Sequence, residues 1–277
     1  MRSVGPKRSV GFPRAVGALP GVGAWMQAME SRAALYLSRA GVYARAIRKP
    51  PFHPETVHRL RTHLRRLQAY AELLQRPTAA KRLAESVSRL SRLRALYVFQ
   101  SYLRRRGALT EDLRRVNWSV REEEKVVTST GCPEAIRNAL TGPSIGRMRR
   151  PESFLGVRLD SLTREHADRL NAALLGLSPE ATRKELHRLR LLVKSLRYQE
   201  EIALETSWGN TQKVAALKRL QRTLGDYCDR DQFRRLAKKM GLACRGEIKK
   251  EYRRYRERAR AAVRKLETPG AQSSGLQ

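Results

Sequence analysis

Apolar residues recur along most of this chain at spacings of three and four, the mark of helices that bury one face. The clearest run is residues 186–201. Wound at about 100° per residue, it gathers Leu189, Leu192, Val193 and Leu196 on one side. His187, Arg190, Lys194, Arg197, Tyr198 and Glu201 fall within about 100° of arc on the other. Burying the aliphatic side does not by itself require the opposite side to be so uniformly cationic.

The same stripe occurs 129 residues earlier. There His58, Arg61, Arg65, Gln68 and Glu72 stand in register with His187, Arg190, Lys194, Arg197 and Glu201, and Leu60, Leu64 and Leu67 with Leu189, Val193 and Leu196. Self-similarity at this distance predicts a duplicated helical unit, with two copies about a pseudo-two-fold axis and their basic stripes facing a shared cleft. The expected fold is all-α, with two pseudo-symmetric antiparallel helical bundles around a basic central cleft.

Punctuation residues divide the rest. Residues 1–23 are Gly- and Pro-rich with Arg2, Lys7, Arg8 and Arg14, and read as a disordered basic arm. No sustained apolar core follows, so a secretory signal is not expected, whereas an organelle transit peptide would have a similar composition. A helical domain is expected over 24–267. Its first repeat, about 24–130, holds helices from Trp25 to about Arg48, Pro54 to Gln75, a long Arg/Leu helix from Pro77 to Arg106 capped by Gly107, and Thr110 to Thr128. The glycines and prolines of 131–151 suggest a hinge, and its Arg147, Met148, Arg149 and Arg150 a strap able to reach an anion. The second repeat, about 152–267, holds helices from Glu152 to Leu175, from a Ser178 cap to about Ser207, from Thr211 to Met240, and from Arg245 to Glu267. Residues 268–277 read as a disordered tail.

Charge then narrows the partner. Fifty-eight Lys and Arg face 26 Asp and Glu, a net charge of +32, with a pI near 11.3. Such a chain repels itself unless a polyanion neutralises it. Nucleic acid, an anionic membrane and inorganic polyphosphate all qualify. Arg outnumbers Lys, which favours bidentate phosphate contacts. With 41% hydrophobic and only 6% aromatic residues, the composition suits helices, and no apolar run approaches the length of a membrane span. Cys132, Cys228 and Cys244 are widely spaced and read as reduced thiols without a metal cluster.

The stripe residues His58, Arg61, Arg65, His187, Arg190, Lys194 and Arg197 are the candidate anion ligands, with Arg66 and Arg188 off the stripe's centre. A solvated face is the ordinary fate of surface arginines, but a surplus of +32 cannot be paired internally. His53, His63 and His166 read as structural. In the segment 220–231, Gly225 suggests a close helix crossing, and Asp229 and Asp231 suggest partners that orient basic side chains. No phosphate-binding glycine loop, nucleophile elbow, zinc-helix motif or carboxylate pair for metal-assisted phosphoryl transfer is present. The chain reads as a binder rather than an enzyme, without a cofactor.

These residues resemble the CHAD family, the conserved histidine α-helical domain. The resemblance rests on His58/Arg61/Arg65, on His187/Arg190/Lys194 continuing through Tyr198 to Glu201, and on Leu220, Gln221, Leu224, Gly225 and Asp229. It spans about residues 25–265. It implies two pseudo-symmetric bundles whose basic faces line a cleft for inorganic polyphosphate, with Tyr198, Glu201, Gln221, Gly225 and Asp229 in structural or orienting roles. It also implies a cytoplasmic protein, with some family members at polyphosphate granules. One departure stands out. Where the first half of the family carries Arg-Asp with a second acid two residues on, this chain has Arg94, Ala95 and Tyr97. The expected function is non-catalytic polyphosphate binding; a nucleic-acid binder using the same charge, or an enzyme of polyphosphate metabolism, are the alternatives.

Overall fold

A computed structural model describes residues 22–141, 152–178, 180–205 and 209–267, side chains at some helix ends excepted. Residues 1–21 of the basic arm, the tail, and the strap at 147–150 lie outside them, and the last two residues assigned to the arm, Val22 and Gly23, open the first helix instead. Among the described residues there are ten α-helices and no strand. They are α1 (Val22–Ala46), α2 (Pro54–Leu73), α3 (Pro77–Arg89), α4 (Ser91–Arg105), α5 (Thr110–Ser129), α6 (Cys132–Thr141), α7 (Glu152–Leu175), α8 (Arg183–Glu205), α9 (Thr211–Lys239) and α10 (Arg245–Glu267).

Local chemistry sets most boundaries. His53 caps α2, its Nδ1 accepting from the Glu55 amide at 3.3 Å, and Pro54 fills the first position, where no amide is needed. Asn210 caps α9, its side-chain oxygen accepting from the Gln212 and Lys213 amides at 2.8 and 3.1 Å. Helices α4 and α9 end in Gly107 and Gly241, both at a φ near +60° that a side chain would strain.

Three elements depart from the sequence reading. The cap of α8 is Thr182 rather than Ser178: Thr182 and Glu185 close a reciprocal capping box, amide to carboxylate at 2.6 Å and amide to hydroxyl at 3.3 Å. The long Arg/Leu helix breaks at Leu90, whose buried carbonyl accepts from the Arg61 guanidinium at 3.2 Å. The stretch read as a hinge begins with a helix, α6, because Cys132, Ile136, Ala139 and Leu140 supply an apolar face that buries against α1 and α3. Gly131 ends α5, Pro133 sits in the first turn of α6, where no amide is needed, and the other glycines and prolines follow α6 in the sequence.

Helices α1, α2, α3 and α6 share one core, which includes Tyr36, Leu64, Leu67, Tyr70 and Leu83. Helices α7 to α10 share a second, built on Leu186, Leu189, Val193, Leu224 and Tyr227. The α4–α5 pair closes a third cluster against the end of α9, where Phe99, Tyr102 and Phe233 stack. The end of α8 reaches into the first core through Tyr198, Ile202 and Ala203. There Glu205 accepts from the hydroxyls of Tyr36 and Tyr70 at 2.5 and 2.8 Å. These contacts set the basic faces of α2 and α8 beside one another.

Candidate anion-binding cleft

Leu60, Leu64 and Leu67 on α2, and Leu189, Val193 and Leu196 on α8, are all buried. Their burial fixes the rotation of each helix and turns both cationic stripes into the groove between them. A cleft of about 190 Å³ opens there, lined by Arg65, Gln68, Glu72, Lys194, Ser195 and Tyr198. A wider hollow of about 480 Å³ adjoins it toward the start of α8, past the exposed Leu191, and takes in Arg183, His187, Arg190, Cys228, Asp229 and Asp231.

The electrostatics show how crowded the cations are. Burial pushes the Lys194 ammonium down to about 6, assisted by Arg65, Arg190, Arg61 and Arg197 around it. Burial likewise lowers Arg61 to about 10, with Arg65, Arg94 and Arg190 as its cationic neighbours. Arg65 is lowered by burial, with Arg190 and Arg197 adding to the effect. Buried Nε atoms of Arg190 and Arg197 have no hydrogen-bond partner. Such a cluster, poor in its own counter-charges, lowers its free energy when an anion enters.

Tyr198 forms the apolar floor: Arg197 lies over its ring at 4.2 Å and Lys194 at 5.9 Å. Glu201 holds Arg197 at 2.9 Å and Lys218 at 3.2 Å, so Arg197 meets the cleft already partly neutralised. The other carboxyl, Glu72, accepts from Gln68 and Gln199 and is raised by burial.

The two stripe histidines lie at the cleft's rim. His58 is depressed by burial and then by Arg94. His187 is depressed by burial and then by Arg190, and its Nδ1 lies 3.9 Å from the Cys228 thiol. Both shifts favour the neutral imidazole in the free protein. The remaining histidines stand outside the cleft: His53 is the α2 cap, His63 is buried against Tyr36 and Tyr43 and pushed down to about 4, and His166 is buried.

Not every expected residue joins. Arg66 turns toward α1 and lies over the Tyr36 ring at 4.8 Å, because one residue beyond Arg65 is a rotation of about 100°. Gly225 faces Arg190, but a methyl added there would meet only its Nε, at 3.8 Å, so no close crossing demands glycine. The Gln221 side-chain oxygen is buried without a partner, and no contact supports an orienting role for it. Asp231 ties Arg183, Arg234 and Arg235 at 3.3, 3.0 and 3.1 Å. Asp229 is raised by burial and sits in the fields of Arg190 and Arg94.

Arg94 is the cation missing from the stripe-based set. It comes from α4, and its charge reaches both His58 and Arg61. Its helix has no periodic His/Arg pattern to flag it; the signal was the family's Arg at this place. Of the two acid positions that follow it, the first is Ala95 and the second is Tyr97, whose buried hydroxyl bonds the Glu124 carboxylate and the Phe52 carbonyl instead of supplying an acid.

The fold and the cleft define an all-helical protein that concentrates Arg, Lys and His where two basic helices meet. A model of the CHAD domain family matches residues 33–238, and the chain belongs to that family. The crystal structure of the CHAD domain from the plant Ricinus communis is similar with a TM-score of 0.56 at 17% identity, covering 92% of this chain and 97% of that one; at that identity the likeness is one of fold. No curated protein matches the chain in sequence. Among the described residues no helix is long and apolar enough to cross a membrane.

Proposed function

We propose that the chain binds inorganic polyphosphate in the cleft between α2 and α8, without turning it over, as a scaffold or targeting module at cytoplasmic polyphosphate granules. The observation that carries this reading is the cluster of Arg61, Arg65, Arg190 and Lys194, gathered between α2 and α8 with Lys194 buried among the three arginines. Family membership supports it, since polyphosphate is the ligand CHAD domains are known for. A linear chain of phosphates offers one negative charge per unit and no bases to read, so a tract of Arg, Lys and His along two helices suffices to hold it. Arg94 extends the ligand set of Arg61, Arg65, Arg190, Lys194 and Arg197, and His58 and His187 add charge on binding.

The test is titration of the full chain with long-chain polyphosphate, beside Arg190→Ala/Lys194→Ala/Arg197→Ala and with duplex DNA as competitor. Binding that weakens steeply with salt and collapses in the triple variant is expected. Equal affinity in the variant would remove the cleft as the site. Release of orthophosphate by the pure protein would replace binding by catalysis.

A further inference from the structure

Helix α10 lies beyond residues 33–238, the part that the family model covers. The cleft also gathers few of the cations behind a net charge of +32, so most of the surplus lies outside it. On α10 the charges are sorted. Ile248, Ala259 and Val263 are buried. The acids Glu247 and Glu251 turn to Arg106, which caps the end of α4, and Glu251 also holds Arg230 of α9 at 3.0 Å. A third acid of the helix, the exposed Glu257, pairs with Arg260 one turn away at 3.7 Å, as Arg115 does with Glu111 on α5 and Arg164 with Asp160 on α7.

Glu247 and Glu251 thus help to hold the fold, and the outer face keeps Lys250, Arg253, Arg254 and Arg258, all exposed and without a salt bridge, a cation excess over the single carboxylate of Glu257 that shares it. Lys250, Arg254 and Arg258 form a line with steps of about 6 Å. No large apolar side chain is exposed on the described part of this helix, so it lacks the anchor of a membrane-surface helix. The aromatic ring within the patch is already covered: Arg230, Arg254 and Arg258 lie against Tyr255 at 4.6, 5.8 and 5.3 Å. It offers no open platform for unstacked bases, which directs the contact to phosphates of a duplex.

We infer that the outer face of α10 is a second polyanion surface, separate from the cleft, that binds the phosphate backbone of duplex nucleic acid without reading its sequence. This site does not depend on the cleft being a polyphosphate site. A straight basic helix is narrow enough for the major groove, and its side chains act there through counterion release.

The experiment compares the full chain with Lys250→Gln/Arg254→Gln/Arg258→Gln and with Arg190→Ala/Lys194→Ala/Arg197→Ala. Each is titrated with a random-sequence DNA duplex at several salt concentrations, and separately with polyphosphate and with anionic vesicles. The α10 variant is expected to lose about tenfold or more in DNA affinity, with its salt slope reduced by about 3, as roughly 0.9 per lost phosphate contact requires. Its polyphosphate binding stays intact, and the cleft variant keeps its DNA binding. Circular dichroism and melting verify folding, and Lys250→Ala/Arg254→Ala/Arg258→Ala repeats the test should the first variant misfold. DNA binding unchanged in the α10 variants, DNA binding lost in the cleft variant, equal loss of both polymers, or binding to vesicles but not to DNA would each overturn the inference. If polyphosphate fails to bind while the DNA pattern holds, only the cleft reading falls.

Discussion

Lys194 makes the cleft's electrostatics measurable. Its ammonium is surrounded by Arg61 and Arg65 of α2 and by Arg190 and Arg197 of its own helix, with only the Glu72 carboxyl lining the same cleft. Folding carries its pKa from 10.5 to about 6. Below pH 6 both folded and unfolded chains hold the proton, and the penalty on stability is complete, with an upper bound of about 6 kcal/mol. As pH rises from about 6 to 10.5 the unfolded chain holds more protons than the folded one, so the group's contribution makes stability rise with pH, by up to about 1.4 kcal/mol per unit. Lys194→Met removes that slope and should stabilise the protein near pH 7 by up to about 5 kcal/mol, falling to nothing near pH 10.5. Urea denaturation of both proteins from pH 6 to 9 reads the difference directly. The same reasoning couples protons to ligand. An anion in the cleft restores the ammonium, so wild type takes up close to one proton on binding polyphosphate at about pH 8, where neutral histidines contribute little. Calorimetry in buffers of different ionisation enthalpy measures that proton. Equal pH slopes for wild type and Lys194→Met, together with equal proton uptake, would refute the picture of a crowded, deprotonated lysine.

Gly225→Ala should be tolerated and raise stability by up to about 1 kcal/mol, since the methyl meets ordinary contact at Arg190 and alanine is the better helix former; a lower melting temperature would show that the α8–α9 approach is tighter than 3.8 Å implies. Asp231→Asn should cost about 1–3 kcal/mol in urea denaturation, because one buried carboxylate serves three arginines whose own side chains are partly exposed. Ala95→Asp restores an acid beside Arg94 and should weaken polyphosphate binding about fivefold, or about 1 kcal/mol, while Ala95→Asn, which adds the same bulk without charge, should not. Equal effects of Asp and Asn would show that the change acts through packing, given that Ala95 is buried.

The all-helical fold and the facing of α2 and α8 were legible because one aliphatic stripe per helix fixes its rotation, and periodicity reports that stripe directly. The Thr182 capping box was also present as a T-x-x-E pattern, yet Ser178-Pro179 offered a competing start four residues earlier; reciprocal hydrogen bonds decided it. The break at Leu90 was not legible. Ser88 and Ser91 beside it disfavour helix only weakly, and the carbonyl's partner, Arg61, lies 29 residues away in the chain. Arg66 and Arg94 illustrate the same limit from both sides. One sits next to the stripe and is turned away to Tyr36; the other sits on a different helix and is brought in by the fold.

That long-range bond gives the cleft its asymmetry. Arg190 has the Asp229 carboxylate in its field, whereas its counterpart Arg61 has at the matching position Ala95, and leans instead on a backbone carbonyl. A carbonyl satisfies a guanidinium hydrogen bond without cancelling its charge. Arg61 therefore keeps its charge, and Arg94, with neither family acid present on its helix and only Asp229 and Glu55 acting on it from other elements, adds to it. An acid at either place would offset the repulsion that adds to burial in lowering Arg61 and Lys194. Its absence maintains a cation excess that an incoming polyanion, rather than the protein itself, is left to neutralise.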